Sequence, residues 1–385
     1  MENKNKTPKT RFAIAHKPDY ILSILVLSLI VIGLIMIYST GWITVLKQTG
    51  GSSDRNGFFW TQLLSFGLGL TGWFIASKFH YSNWQKYASF IFYGSLALMF
   101  LVLVPGIAVT VNGASRWVHI GPINFQPSEV IKLSLALYLA KVSESANKKP
   151  LAYFIPLALV CGLIMLQPDL GTTLVVGLIG ITQIFVAGIP IVYFLGSLFL
   201  GIISVVILIL VSPYRRDRLM TFLQVSSDPL GKEYHIRQIL LSLGSGGLFG
   251  LGIGQSRQKF LFLPEASTDS IFAAIAEEIG FVGSLALILL FAYFLYKAFK
   301  IAANAPDQFS KILAIGITAW IGGQMILNLS SMTALTPLTG IPLPFFSYGG
   351  TSLSMILASC GILLNISRYG IQPKHYGKEN TIARR

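Results

Sequence analysis

Residues 190–211 read PIVYFLGSLFLGIISVVILILV without one charged side chain, and the next seven residues read SPYRRDR. A helix of about 20 apolar residues spans the hydrocarbon core of a bilayer. This stretch therefore predicts a membrane crossing that ends on a cluster of arginines. Nine further stretches have the same character: 20–40, 58–77, 86–111, 128–143, 151–167, 170–188, 270–296, 312–331 and 346–366. Pro, Gly or charge clusters separate them. The whole composition agrees, with 53% apolar and 11% charged residues in 385 and a mean hydropathy of +0.67; an average soluble domain carries about 25% charged residues. The expected fold is an all-α integral membrane protein of ten transmembrane helices. A disordered chain, a secreted disulfide scaffold and a soluble nucleotide-fold enzyme are excluded. The two cysteines, Cys161 and Cys360, lie inside apolar runs and imply neither a disulfide framework nor thiol chemistry. The first run follows a basic stretch but lacks a small-residue cleavage site, so it reads as a retained helix.

The net charge is +14, from 29 Lys+Arg against 15 Asp+Glu. On a soluble chain this would point to nucleic acid; on a membrane chain it points first to orientation, because basic residues collect in cytoplasmic loops. With both termini in the cytoplasm, 18 basic residues fall inside, ten fall outside and Lys132 lies within a helix. The layout is then a cytoplasmic tail over 1–19, helices one to seven over 20–211, an extracellular loop over 212–269, helices eight to ten over 270–366 and a cytoplasmic tail over 367–385. Seven of the ten external basic residues sit in that one loop between helices seven and eight: Arg215, Arg216, Arg218, Lys232, Arg237, Arg257 and Lys259. An anionic ligand at the outer face is one reason for them; indifference of long loops to charge is the other. The loop also holds an amphipathic stretch, His235 to Leu243, suited to the membrane surface. No internal duplication is visible, which weakens a transporter built from inverted halves.

Ionisable residues at membrane depth narrow the function. Glu129 and Lys132 lie three apart on one face of the fourth helix and cannot face lipid; they form either a self-neutralising pair or a substrate-facing one. Glu277 and Glu278 are adjacent, share no face and require different partners. Asp269, at the mouth of the eighth helix, reads as an N-cap and also as a general base. A helix start favours its ionised form and burial its protonated form, and a base needs such a balance. The glycines from Gly244 to Gly254 lack the Gly-Lys-Ser/Thr order of a nucleotide loop. Gly340-Ile341-Pro342-Leu343-Pro344 cannot be regular helix, and Ser347, Tyr348 and Gly349 then place hydroxyls and a bare amide near a helix start, which suits an anion or close helix packing. The five histidines are scattered at non-chelating spacings.

Four segments resemble the signatures of one family. They are Asn112-Gly113-Ala114-Ser115-Arg116-Trp117 with Gln126-Pro127-Ser128-Glu129 and Lys132; Gln167-Pro168-Asp169-Leu170-Gly171-Thr172; Leu263-Pro264-Glu265 through Asp269 to Glu277-Glu278-Ile279-Gly280; and Thr339 through Gly350. Together they resemble the SEDS family (shape, elongation, division and sporulation). Pro213-Tyr214-Arg215-Arg216-Asp217-Arg218 and Gly254-Gln255-Ser256-Arg257-Gln258-Lys259-Phe260 resemble its division branch, FtsW, more than its elongation branch, RodA. Ser267, Thr351 and His235 depart from residues common there, which leaves fine contacts open.

The resemblance implies a bacterial peptidoglycan glycosyltransferase of ten transmembrane helices. It would polymerise lipid II at the outer leaflet of the cytoplasmic membrane, at the division septum, beside a class B penicillin-binding transpeptidase and other divisome membrane proteins. Asp269 would be the catalytic base. Arg116, Glu129, Lys132, Arg215, Arg216, Lys259, Ser347, Tyr348 and Gly349 would bind substrate, with Mg²⁺ or Mn²⁺ and without a nucleotide or nucleic acid. The alternatives are a lipid II flippase, an elongation polymerase and a non-catalytic scaffold for division proteins.

Overall fold

The computed structural model describes residues 15–49, 57–104, 106, 108–111, 114–120, 123–145, 149–223 and 234–370. The tails beyond them, Asn112, Gly113, Lys148 and Lys232 lie outside the described residues. Thirteen helices and three short strands follow in chain order. Ten of the helices are long and fall on the ten expected stretches: α1 (Tyr20–Thr49), α2 (Gly57–Lys78), α3 (Tyr81–Val102), α4 (Pro127–Val142), α5 (Leu151–Leu166), α6 (Leu170–Val186), α7 (Ile191–Val211), α11 (Ile271–Ala303), α12 (Gln308–Met332) and α13 (Gly350–Ser367). Six of these, α1, α3, α7, α11, α12 and α13, are long and apolar enough to cross a membrane. The chain is a multi-pass membrane protein. Three short helices occupy the expected external loop: α8 (Pro213–Leu223), α9 (Tyr234–Ser245) and α10 (Gln258–Leu261). The amphipathic reading of His235 to Leu243 corresponds to α9.

The expectation of helix alone is corrected between α3 and α4. Apolar content predicts helix throughout 86–111. Helix α3 instead ends at Val102, ahead of a Pro-Gly pair in the sequence, and β1 (Val109–Val111), β2 (Ala114–Ile120) and β3 (Ile123–Phe125) form an antiparallel sheet in the order β1-β2-β3. Proline cannot continue the helix, and the Val- and Ile-rich residues after it pair as a strand. Apolar content alone does not separate those two outcomes.

Helix α12 is the centre of the bundle. It packs against α4, α6, α11 and α13 and buries Trp320, Gln324 and Asn328 among its apolar side chains. The Gln183 side-chain amide of α6 donates to the Ala136 carbonyl of α4 at 2.9 Å and to the Ile312 carbonyl of α12 at 3.0 Å, so one polar group ties three helices. Helix α7 buries none of its residues and leaves its apolar surface exposed.

Helix α11 is broken at Gly280, where φ is 70° and ψ is −173°, a conformation essentially reserved for glycine. The break frees main-chain groups that the 246–254 segment then satisfies. Leu251 and Gly252 amides donate to the Glu277 and Glu278 carbonyls at 3.0 Å each, and Phe281 and Val282 amides donate to the Gly247 and Leu248 carbonyls at 2.9 and 3.0 Å. A Cβ on Gly280 would stand 2.2 Å from the Gly250 nitrogen. The glycine run is therefore explained by backbone crossing backbone. Replacing Gly280 by valine should destabilise the purified protein by at least about 1–3 kcal/mol through backbone strain alone. Gly94→Ala, at a helical position where an added Cβ meets nothing within 4 Å, should leave stability unchanged or slightly raised. Thermal unfolding midpoints of both variants in detergent check the contrast.

Candidate functional site

The turn Pro264–Ser270 leads into α11 and carries Asp269. It is folded around one carbonyl: the Thr268 and Ser270 amides both donate to the Glu265 oxygen, at 3.1 Å each. Ser270 takes the N-cap position of α11, so Asp269 stands one residue outside the helix. The capping role read for Asp269 from pattern belongs to its neighbour's position.

Three other elements fasten this turn. Asn328 of α12, fully buried, donates to the Asp269 carbonyl and to the Ile341 carbonyl, at 2.8 Å each. Ser347 donates from Oγ to the Thr268 carbonyl at 2.6 Å and accepts the Leu343 amide at 2.7 Å, and the Tyr348 amide donates to the Ser267 carbonyl at 2.8 Å. From α9, His235 Nε2 meets Ser270 Oγ at 2.8 Å. The Gly340 loop is thereby laid against Asp269. A Cβ on Gly340, which has φ +71°, would lie 3.4 Å from Asp269 Oδ2 and 4.0 Å from Arg218 Nη1. A side chain there would fill the space beside the carboxylate.

The second signature arrives from the other side. Gly171 at the start of α6 packs on the Thr339 carbonyl and Ile341. Asp169 caps α6, accepting the Thr172 amide and hydroxyl at 2.9 Å each. Arg116 of β2 donates to the Gln167 and Pro168 carbonyls at 3.0 and 2.6 Å, with Nη1 3.7 Å from Asp169 Oδ2. Arg218 of α8 donates to the Leu338 carbonyl at 3.0 Å. The result is a partly exposed crevice where Asp169, Glu265 and Asp269 face Arg116 and Arg218.

This setting pushes the Asp269 carboxyl up from the ordinary carboxylate range to about 7. Burial is the largest cause and the negative charges of Glu265 and Asp169 add to it, while Arg218 and Arg116 oppose it. Asp269 itself remains partly exposed, so the group holds a proton near neutrality and is still reachable.

The other expected site residues divide. The structure gathers Arg116, Asp269, Ser347 and Tyr348 at one end of the bundle. Gly349 is nearby, with its amide donating to Gln62 Oε1 of α2 at 3.3 Å. Glu129 and Lys132, expected to line the cavity, are 3% and 1% exposed and paired at 2.7 Å, with the ammonium over the Trp320 ring and 3.5 Å from Gln324 Oε1. Their geometry is that of the self-neutralising pair. Lys259 is also buried, donating to Glu278 at 2.5 Å and to Ser39 of α1 at 2.8 Å. Glu277 accepts the Ser256 hydroxyl at 2.5 Å and the Arg257 amide at 2.9 Å, so the two adjacent glutamates do take different partners. Arg215 turns back to the Leu208 carbonyl at 3.1 Å, and Arg216 is exposed. A cavity of about 450 Å³ lies elsewhere, between α1, α2 and residues 253–260.

Residues not expected at the site from sequence lie in or against the crevice: Asp169, Arg218, Glu265, His235 and Asn328. Asp169 stood inside a quoted signature, and Arg218 stood in the basic row three residues after Arg215. Nothing in the local pattern marked Asn328 as the tie between two distant carbonyls. Among the described residues no three His, Cys, Asp or Glu side chains converge as a metal-ligand set.

Fold and crevice together define a helical membrane protein with a proton-holding carboxylate at the end of its bundle. Residues 20–372 match the family described as "Cell cycle protein", which groups FtsW, RodA and SpoVE. Stage V sporulation protein E of Bacillus subtilis (strain 168) is 41% identical over 362 residues, covering 91% of this chain and 97% of that protein. Probable peptidoglycan glycosyltransferase FtsW of Trichlorobacter lovleyi is 37% identical over 359 residues, covering 91% and 93%. A chain from a peptidoglycan synthase complex that coordinates polymerization and crosslinking superposes with a TM-score of 0.74 at 30% identity, covering 91% of this chain and 98% of that one. The chain belongs to the FtsW/RodA/SpoVE family, the SEDS peptidoglycan glycosyltransferases.

Asn328 offers a direct check on how the crevice is built. Asn328→Leu removes both donors and leaves the Asp269 and Ile341 carbonyls without them; an unsatisfied buried polar group costs about 1–3 kcal/mol. The unfolding midpoint in detergent should fall, and glycosyltransferase activity should fall further than stability alone accounts for.

Proposed function

We propose that this chain polymerises lipid II into β-1,4-linked glycan by a single inverting displacement, with Asp269 as general base. The observation that carries the reading is the partly exposed Asp269 carboxyl, raised to about 7 and flanked by Arg116 and Arg218. A base is most effective when its proton affinity lies near the working pH. Asp269 takes the proton from the 4-hydroxyl of the acceptor GlcNAc as that oxygen attacks C1 of the donor MurNAc. The bond from C1 to the pyrophosphate oxygen breaks, undecaprenyl pyrophosphate leaves, and an α linkage becomes β. The arrangement follows the carboxylate logic of inverting glycosidases, with a sugar hydroxyl in place of water.

Charge growing on the pyrophosphate needs fixed positive groups. Arg218 and Arg116 supply them at the crevice, in the role expected of Arg215, Arg216 and Lys259. In this reading ten helices cross the cytoplasmic membrane, both termini are cytoplasmic, and the crevice opens at the outer leaflet, where lipid-linked sugars are presented. A class B penicillin-binding transpeptidase at the septum is the proposed partner; the likeness to a complex that couples polymerization with crosslinking supports it. The likeness to a sporulation protein favours a second setting, spore formation, for the same reaction.

The test is polymerisation of purified lipid II in detergent, with the transpeptidase present. Wild type should make glycan, and Asp269→Asn should lose at least about 100-fold in rate. A wild-type chain that makes no glycan while moving lipid II across vesicle membranes would support a flippase instead. Below about pH 7 the base is protonated, so kcat/KM should fall about tenfold per pH unit. Arg218→Ala removes a charge that favours the ionised carboxylate and should move that acidic limb to higher pH.

A further inference from the structure

We infer that His235, in its neutral form, is a positioning residue for Asp269, tying the Ser270 end of the Pro264–Ser270 turn to α9. The inference rests on the base reading above and assigns a role to a residue that the reaction scheme does not use. His235 Nε2 lies 2.8 Å from Ser270 Oγ, at the last residue of the turn and next to Asp269. In the neutral tautomer protonated at Nδ1, Nε2 receives the Ser270 hydroxyl proton. The whole of α9 is thereby coupled to the reacting carboxylate, and its Ile236, Ile239 and Ser242 are buried against the bundle.

Protonating the ring undoes this arrangement. Nε2 becomes a donor, the Ser270 hydroxyl must turn away, and a second positive charge appears near Arg218. The structure already disfavours that state. Burial and Arg218 of α8 lower the ring's proton affinity, partly opposed by Glu265 and the Pro264 backbone within the turn. Asp269 is the remaining charged group on that turn. The tie is therefore intact at neutral pH and released in acid.

The experiment is the pH profile of lipid II polymerisation in detergent for wild type, Asp269→Asn, His235→Ala and His235→Gln, with KM and kcat separated. A misplaced reacting group typically loses about 10–100-fold. His235→Ala should lose about that factor in kcat at pH 8 with KM little changed. Glutamine can accept from Ser270 without titrating. It should restore most of the rate at pH 8 and change the shape of the acidic limb. In wild type log(kcat/KM) should steepen from a slope of one to two as His235 also protonates; in His235→Gln the slope should stay at one. If Asp269→Asn is inactive but His235→Ala matches wild type in rate, the inference is wrong and the base reading stands. The inference is equally wrong if wild type and His235→Gln share one slope. If Asp269→Asn keeps wild-type activity, the base reading itself fails. Should His235→Ala not survive purification, the two slopes of wild type and His235→Gln decide alone.

Discussion

The Asp269 carboxyl is held between two opposed effects. Burial beside Glu265 and Asp169 favours its protonated form, and the fields of Arg218 and Arg116 favour its charged form. Without the guanidinium groups it would be too strongly protonated to accept a proton near neutrality. Without burial it would be a weak, solvated base. The rest of the structure serves to keep those five side chains in register, although they come from β2, the start of α6, α8 and the turn before α11. Asn328 and Ser347 do much of this through backbone carbonyls, which fixes the turn and leaves the carboxylate oxygens open.

The same chain uses charge in a second way. Glu129–Lys132 and Lys259–Glu278 are closed pairs with side chains almost without exposure. A charge left alone at membrane depth is expensive, and removing one partner of a buried pair is strongly destabilising. These pairs fasten helices: α4 internally against Trp320 of α12, and α11 to α1 through Ser39. Lys297 and Asp19, paired at 2.6 Å, tie α11 to the segment before α1. Charges that pair internally build the bundle, and the mixed group around Asp269 remains reachable.

Much of the helical layout was legible in the sequence because about 20 uncharged apolar residues have few other fates. The sheet at 109–125 was not, since a short apolar run carries no period that separates strand from helix. At the site, Asp269, Arg116 and Ser347 were legible from signature segments. Arg218 was hidden among seven basic residues of one loop, because which of them faces the crevice depends on how α8 leaves α7. Lys259 and Glu129 illustrate the converse difficulty. A buried ion pair and a substrate-binding pair use the same residue types at the same spacing, and only the packing of Trp320 or Ser39 separates them. Asn328 joins carbonyls belonging to two loops far apart in the chain, a relation with no local trace.

The proton affinity of one side chain decides whether the proposed chemistry is available. Difference infrared spectra of wild type against Asp269→Asn, recorded across pH in detergent, follow the carboxyl C=O stretch of that residue alone. The band of the protonated acid should disappear with a midpoint near 7. A midpoint near 4, the value of an ordinary solvated aspartate, would contradict the role assigned to Asp269.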